Sequence, residues 1–192
     1  MGITVKDYFE NIYNSLFSPF EFFDNDNTVV SIRQALGTVI GVSAFSLLGQ
    51  GIANKSVFSV AYPFTFVFTI LGIILLWFLT GLFLEYLSKI FTQENRLHKI
   101  LFYTSYAMIP YIFFAPLDIL KKSGTTGYSI GVIIGMLLYF WIIFLYVLAI
   151  KKSYNISIAR AFMILLLPFI STFFALTWAI SFFVKMGYIN SI

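Results

Sequence analysis

Five long stretches of this chain contain no charged residue, and they constrain its fold more than any other feature. Each is long enough to cross about 30 Å of hydrocarbon as an α-helix that rises 1.5 Å per residue. The chain is 60% hydrophobic and only 10% charged, which is too apolar for a soluble domain. We therefore predict an all-α, polytopic transmembrane bundle of five helices within residues 34–54, 56–84, 100–117, 123–150 and 161–184. The second stretch exceeds one crossing, so it is expected to tilt or to begin only after Pro63.

The N-terminal residues have a different character, which divides the chain into an N-terminal segment (1–31) and a transmembrane domain (32–192). Between residues 5 and 17, apolar side chains recur at the three-to-four spacing of one face of an amphipathic helix. This helix is too short to span a bilayer, so we expect it along the membrane surface or against the bundle. Its polar face is slightly acidic, which favours packing on the bundle over an independent lipid sensor.

The third apolar stretch carries two prolines, Pro110 and Pro116. Membrane helices tolerate such prolines because neighbouring groups satisfy the backbone carbonyls that they free. We expect this stretch to be the kinked central helix of the bundle. Tyr106 precedes Pro110 by one turn, and its hydroxyl is expected to donate to a freed carbonyl, with a ligand contact as the alternative. Pro168 predicts a second bend, in the fifth stretch.

Gly127, Gly131 and Gly135 fall four residues apart in the fourth stretch. Glycines at this spacing form a stripe against which another helix backbone can approach closely. Gly37 and Gly41 repeat the spacing in the first stretch. The pattern favours packing within the chain over a homodimer interface.

Two carboxylates, Glu85 and Asp118, lie near the ends of apolar stretches. A charge at membrane depth is a functional candidate because its burial is costly unless it finds a partner or water. Glu85 has Lys89 four residues further on, and Asp118 is followed by Lys121 and Lys122, at the spacing of ion pairs on one helix face. The pairing favours structural anchoring over an ion or proton pathway.

Basic residues in the short connections indicate the orientation in the membrane. If the N-terminus is cytoplasmic, the inner side holds eight Lys and Arg residues and the outer side four. This asymmetry favours a cytoplasmic N-terminus and an external C-terminus. The formal net charge of +4 is thus explained by membrane orientation, and no nucleic-acid partner is expected.

The chain has no cysteine and a single histidine, His98. Thiolate chemistry is therefore excluded, and no set of residues has the spacing of metal ligands or of a catalytic constellation. We expect a protein without catalytic, cofactor-binding or metal-binding residues. The lipid bilayer is its expected partner, together with a second copy of the chain or other membrane proteins.

Several short motifs, taken in order, resemble those of the Yip family of Ypt/Rab-interacting membrane proteins. Residues 16–20, Leu-Phe-Ser-Pro-Phe, resemble the family's Leu-Tyr-Gly-Pro-aromatic segment before the first span. Residues 106–110 resemble its Gly-Tyr-x-x-x-Pro signature, with Ser105 in place of the glycine. Lys151, Lys152 and Pro168 are similar to its basic loop and its proline-bearing final helix.

This resemblance implies five transmembrane helices and a cytosolic N-terminus. In eukaryotic members it implies association with Rab-type GTPases in vesicle traffic. The short N-terminal segment leaves little surface for a GTPase, and the chain looks more similar to the prokaryotic branch, which implies the plasma membrane.

Two functions follow from these observations. The first is that of a non-enzymatic protein of Yip type that organises membranes or binds partners through helix packing and oligomerisation. The alternative is a small transporter or channel subunit with a polar cavity lined by the proline-kinked third and fifth helices.

Overall fold

The computed structural model describes residues 5–25, 28–92 and 95–189, and its regular structure is helical. Short 3₁₀-helices form at Ser56–Phe58 and Ile109–Phe113. The α-helices of the described residues are α1 (Val5–Phe17), α2 (Pro19–Asp24), α3 (Ile32–Ala53), α4 (Tyr62–Ser88), α5 (Leu97–Ala107), α6 (Phe114–Lys121), α7 (Thr125–Tyr154) and α8 (Ile158–Ile189).

Four segments of the described chain are long and apolar enough to cross a membrane: α3, α4, the unit Leu97–Lys121 and α7. The fifth helix, α8, begins with the shorter apolar stretch Ile158–Pro168. The predicted all-α membrane bundle is therefore confirmed. Helix α4 begins only at Tyr62, and Pro63 lies in its first turn. A backbone N–H there would have no partner within the helix, so a proline costs no hydrogen bond at this position.

The third span, Leu97–Lys121, is the centre of the bundle, as predicted. Of the 18 residues that make up its apolar segment, 67% are buried inside the protein, compared with 17% in the corresponding segment of α4. The prolines divide this span more strongly than a simple kink would. Helix α5 ends at Ala107, the 3₁₀-helix Ile109–Phe113 contains Pro110, and α6 then completes the crossing.

The main core surrounds the first half of the third span. Phe102 and Tyr106 are fully buried there, beside Val39 of α3 and Leu148 of α7. Phe23 of α2 lies in the same cluster, so the N-terminal segment contributes directly to the core. A smaller cluster, which includes Ile150 and Ile164, packs α8 against α7.

The two ends of the bundle carry different polar groups, and we name them after their carboxylates. At the Glu85 end, α4 and α7 finish while α5 and α8 begin. At the Asp118 end, α3 and α6 finish while α4 and α7 begin. There the ammonium group of Lys122 donates to the carbonyl of Ala53 and to Asn54 Oδ1, which ties α6 to the end of α3.

Candidate functional site

The N-terminal hairpin, which we define as Val5–Asp24, enters the bundle instead of lying flat on its surface. The hydroxyls of Tyr8 and Thr38 are 3.1 Å apart, which places the start of α1 against α3. At the other end of α1, Leu16 and Phe17 line a groove with Pro110 and residues of α7. Pro110 lies 13 residues beyond the start of the third span, about 20 Å at 1.5 Å per residue. The hairpin therefore reaches about halfway through the bundle.

Helix α2 brings the chain back towards the Glu85 end after the turn at Ser18. Phe22 and Phe23 are 3% and 0% exposed, and Phe22 packs its ring 5.1 Å from that of Tyr106. At the end of α2, Lys151 Nζ lies 2.7 Å from Asp24 Oδ1. The sequence offered only the aromatic residues Phe20, Phe22 and Phe23 as a signal for this insertion, and sequence reasoning missed it.

The predicted apolar face of α1 is divided between two environments. Ile12 and Leu16 pack against the core. Phe9, Tyr13 and Phe17, spaced four residues apart, are 62%, 60% and 68% exposed. This aromatic stripe therefore lies on the outer surface of the protein.

Glu85 is buried at the end of α4, with 6% of its surface exposed. The hydroxyl of Tyr154 donates to its Oε2 at 2.7 Å, and the backbone N–H of Arg96 donates to its Oε1 at 3.0 Å. The predicted ion pair with Lys89 is wrong, because the carboxylate turns inward between α5 and α7 while Lys89 stays exposed. Glu85 thus joins three helices at this end of the bundle.

Asp118 lies at the opposite end and forms the predicted ion pair. Its Oδ1 is 3.4 Å from Lys121 Nζ, with both side chains about one third exposed. Lys122 does not join this pair, since it contacts the end of α3. Glu85 and Asp118 are therefore held apart and cannot act on one substrate together.

Tyr106 does not make the hydrogen bond that its spacing to Pro110 predicts. Its side chain is fully buried, and its hydroxyl donates to no backbone carbonyl of the described residues but lies beside the side chains of Tyr8, Asn11 and Thr38. Pro110 has no N–H for the carbonyl of Tyr106, four residues earlier. The N–H of Met108 donates to the carbonyl of Ser105 at 3.3 Å, and that of Tyr111 donates to Met108 O at 3.0 Å, so the backbone tightens into 3₁₀ turns around the proline.

The glycine stripe of α7 faces α6 within the same chain. A Cβ at Gly127 would collide with the carbonyl of Leu120, and one at Gly131 would collide with Lys121. Gly135 continues the stripe but has open space beside it.

Other glycines make closer approaches than Gly37 and Gly41 do. A Cβ at Gly49 would collide with Ala115 of α6, and one at Gly81 would collide with Leu101 of α5. Their spacing forms no repeat, so sequence reasoning missed them.

Pro168 lies inside α8, which continues as one helix from Ile158 to Ile189. Within residues 5–25, 28–92 and 95–189, no three His, Asp or Glu side chains converge in a way that could hold a metal ion.

Two neighbouring cavities flank the break in the third span. The inner chamber, of about 400 Å³, lies between α3, α4, α7 and the 3₁₀-helix and is lined by the polar residues Ser43, Ser46, Gln50, Thr80, Tyr111 and Tyr146. The outer chamber, of about 450 Å³, extends to Asp118 and Lys121 and shares Ser46, Gln50 and Tyr111 with the first. A mostly apolar cavity with several polar side chains thus adjoins the third span, and its described lining contains no residue of α8, the second helix that the transporter alternative places around such a cavity.

The fold thus combines a proline-broken central span among apolar helices with a buried N-terminal aromatic segment. Both features can be compared with known families. A match to the Yip1 domain covers residues 13–179. The chain belongs to the Yip1 domain family. Searches of curated proteins and of solved structures found no match. The Yip1 domain match begins within α1 and ends within α8, so it includes most of the N-terminal hairpin as well as the bundle.

Proposed function

We propose that this Yip1 domain protein is a non-enzymatic membrane organiser whose N-terminal hairpin acts as a wedge in one leaflet. The observation that carries the proposal is the depth of the hairpin, which descends from the Glu85 end and turns back beside Pro110. A bilayer with its headgroups is about 40–45 Å thick, so a penetration of about 20 Å corresponds to one leaflet. Volume added to one leaflet only favours curvature with that leaflet on the convex side.

The core contacts of α2 explain how such a wedge keeps its depth. A surface helix held only by its apolar face can rise or sink with the lipid around it. Here the buried rings of Phe22 and Phe23 fix α2 to the third span, and Ile12 and Leu16 fix α1. The outward rings of Phe9, Tyr13 and Phe17 then displace lipid at a depth set by the protein.

The glycine stripe favours membrane organisation over partner binding through that face. Gly127 and Gly131 already contact α6, which leaves them no surface for a helix of another chain. Oligomers of this protein would have to use a different face.

The wedge is tested by measuring protein density on reconstituted vesicles of widely different diameter. We expect density to rise as diameter falls for molecules whose Glu85 end faces outward. The triple variant Phe9→Ser/Tyr13→Ser/Phe17→Ser should lose most of this enrichment, because serine side chains displace far less lipid than the three rings do at the same depth.

The matched control replaces three lipid-facing aromatic residues of α4, Phe64, Phe68 and Phe83, by serine. Helix α4 crosses both leaflets, so this variant should sort by curvature like the unmodified protein. Equal sorting of the hairpin variant and the unmodified protein would contradict the wedge, and so would equal loss in both triple variants.

We also propose that the Glu85 end, and with it the N-terminus, faces the cytoplasm. Basic residues are enriched on the cytoplasmic side of membrane proteins. Seven of them lie towards this end, namely Arg33, Lys89, Arg96, Lys99, Lys151, Lys152 and Arg160. Three lie towards the Asp118 end, namely Lys55, Lys121 and Lys122. The chain has no cysteine, so single cysteines report topology directly. An impermeant maleimide on intact cells should label Ser59→Cys, and should label Ser157→Cys only after permeabilisation. The reverse pattern would overturn the orientation.

A further inference from the structure

The inner of the two chambers beside the broken third span contains a buried polar group that the described residues do not satisfy. Ser43 is 3% exposed, lines the inner chamber, and its hydroxyl has no hydrogen-bond partner among the described residues. A buried hydroxyl without a partner is costly, and such groups in native proteins indicate a bound molecule or water. Ser43 lies midway along α3, at a depth where bulk water is absent.

The inner chamber has the lining of a site for an amphiphile. The walls of this chamber are mainly apolar and include Leu47, Leu76, Trp77 and Met108. The polar groups of the chamber are uncharged hydroxyls and one amide. Leu76 is 65% exposed, so the chamber opens sideways to the acyl chains. A water-soluble solute would have no aqueous route through this opening, whereas a lipid reaches it directly.

The outer chamber supplies charges of both signs at the membrane boundary. Lys121 and Asp118 are paired and partly exposed, and the rings of Tyr111, Phe114 and Tyr139 surround the same cavity. An ammonium group can bind a phosphate, a carboxylate can bind an amine, and aromatic faces attract an organic cation. Together these groups are complementary to a zwitterionic headgroup.

We propose that the chambers form a binding site for one zwitterionic glycerophospholipid. Its phosphate and amine lie at Lys121 and Asp118 in the outer chamber. Its ester carbonyls accept hydrogen bonds in the inner chamber, from Ser43 and from the amide and phenol groups at the shared wall. The lipid is thereby held deeper than its neighbours in the same leaflet, with its acyl chains leaving through the opening beside Leu76.

Binding is tested on the full chain purified in a mild detergent, by native mass spectrometry after titration with phosphatidylethanolamine, phosphatidylcholine or phosphatidylglycerol. We expect one tightly bound phosphatidylethanolamine or phosphatidylcholine and weaker binding of the anionic phosphatidylglycerol. Lys121→Gln and Ser43→Ala should each weaken binding, Lys121→Gln by about tenfold, since a charge-assisted hydrogen bond contributes at least that much to Kd.

Matched controls separate the site from general effects on the fold. Asp24→Asn removes a carboxylate paired with a lysine at the opposite end, and Ser105→Ala removes a buried serine whose hydroxyl already donates to Phe102 O at 2.7 Å. Both controls should bind lipid like the unmodified protein.

Three outcomes would overturn the proposal. One is lipid binding that neither Lys121→Gln nor Ser43→Ala weakens while both variants remain folded. Another is binding without preference among the three headgroups. The third is competition by soluble glycerophosphoethanolamine at the concentration of the lipid, which would identify a solute site. The site lies towards the leaflet opposite the hairpin, so its failure leaves the proposed wedge untouched.

Discussion

Replacing Tyr154 by phenylalanine removes one hydroxyl from the group of residues that joins α4, α5 and α7. That hydroxyl donates to Glu85 Oε2 at 2.7 Å, and the two side chains are 3% and 6% exposed. Both side chains are largely shielded from bulk water, so the carboxylate oxygen loses its hydrogen-bond donor. A hydrogen bond to a charged group contributes about 1.5–3 kcal/mol. We expect Tyr154→Phe to lower the free energy of unfolding by about 2 kcal/mol.

The assay is thermal unfolding of the purified protein in detergent. For a chain of 192 residues, a loss of about 2 kcal/mol lowers Tm by roughly 4–8 °C. The control is Tyr86→Phe, one residue from Glu85 on the same helix and 70% exposed. Its effect should stay within about 0.5 kcal/mol, as for other surface substitutions.

A double-mutant cycle isolates the interaction itself. Glu85→Ala and Tyr154→Phe each remove the same hydrogen bond, so the double variant should lose less stability than the sum of the single variants. Additive losses would refute the coupling, and a Tm of Tyr154→Phe equal to that of Tyr86→Phe would refute the role of the buried hydroxyl.

The same unfolding assay checks the other contacts that hold the fold. Phe23→Ala should cost about 3–5 kcal/mol because the ring is fully buried in the core, whereas Phe20→Ala, at a ring that is 54% exposed, should cost much less. Equal effects would show that α2 is not anchored as described. Gly49→Ala should cost about 1–3 kcal/mol because its Cβ would collide with that of Ala115. Gly41→Ala, with open space around it, should be neutral or slightly stabilising, and a harmless Gly49→Ala would refute the close approach of α3 and α6.

Sequence reasoning succeeded where a single segment carries the whole signal. The membrane spans, the central proline-broken helix and the pairing of Asp118 with Lys121 depend on residues close together along the chain. It failed for Glu85, whose hydroxyl partner Tyr154 lies 69 residues away. The nearest lysine in sequence was a plausible partner, but a buried carboxylate takes the donors that the neighbouring helices bring to it.

The amino-acid sequence by itself determined that this chain dissolves in lipid as a helical bundle, because uncharged stretches of this length cannot be hidden in a soluble core. Tertiary structure decided the depth of the N-terminal hairpin, which depends on the space that α3, the third span and α7 leave for Phe22 and Phe23. It also decided which polar groups remain unsatisfied. Ser43 and Ser105 are both buried serines of membrane helices, but Ser105 donates to a carbonyl of its own helix, whereas the fold leaves the Ser43 hydroxyl beside a cavity.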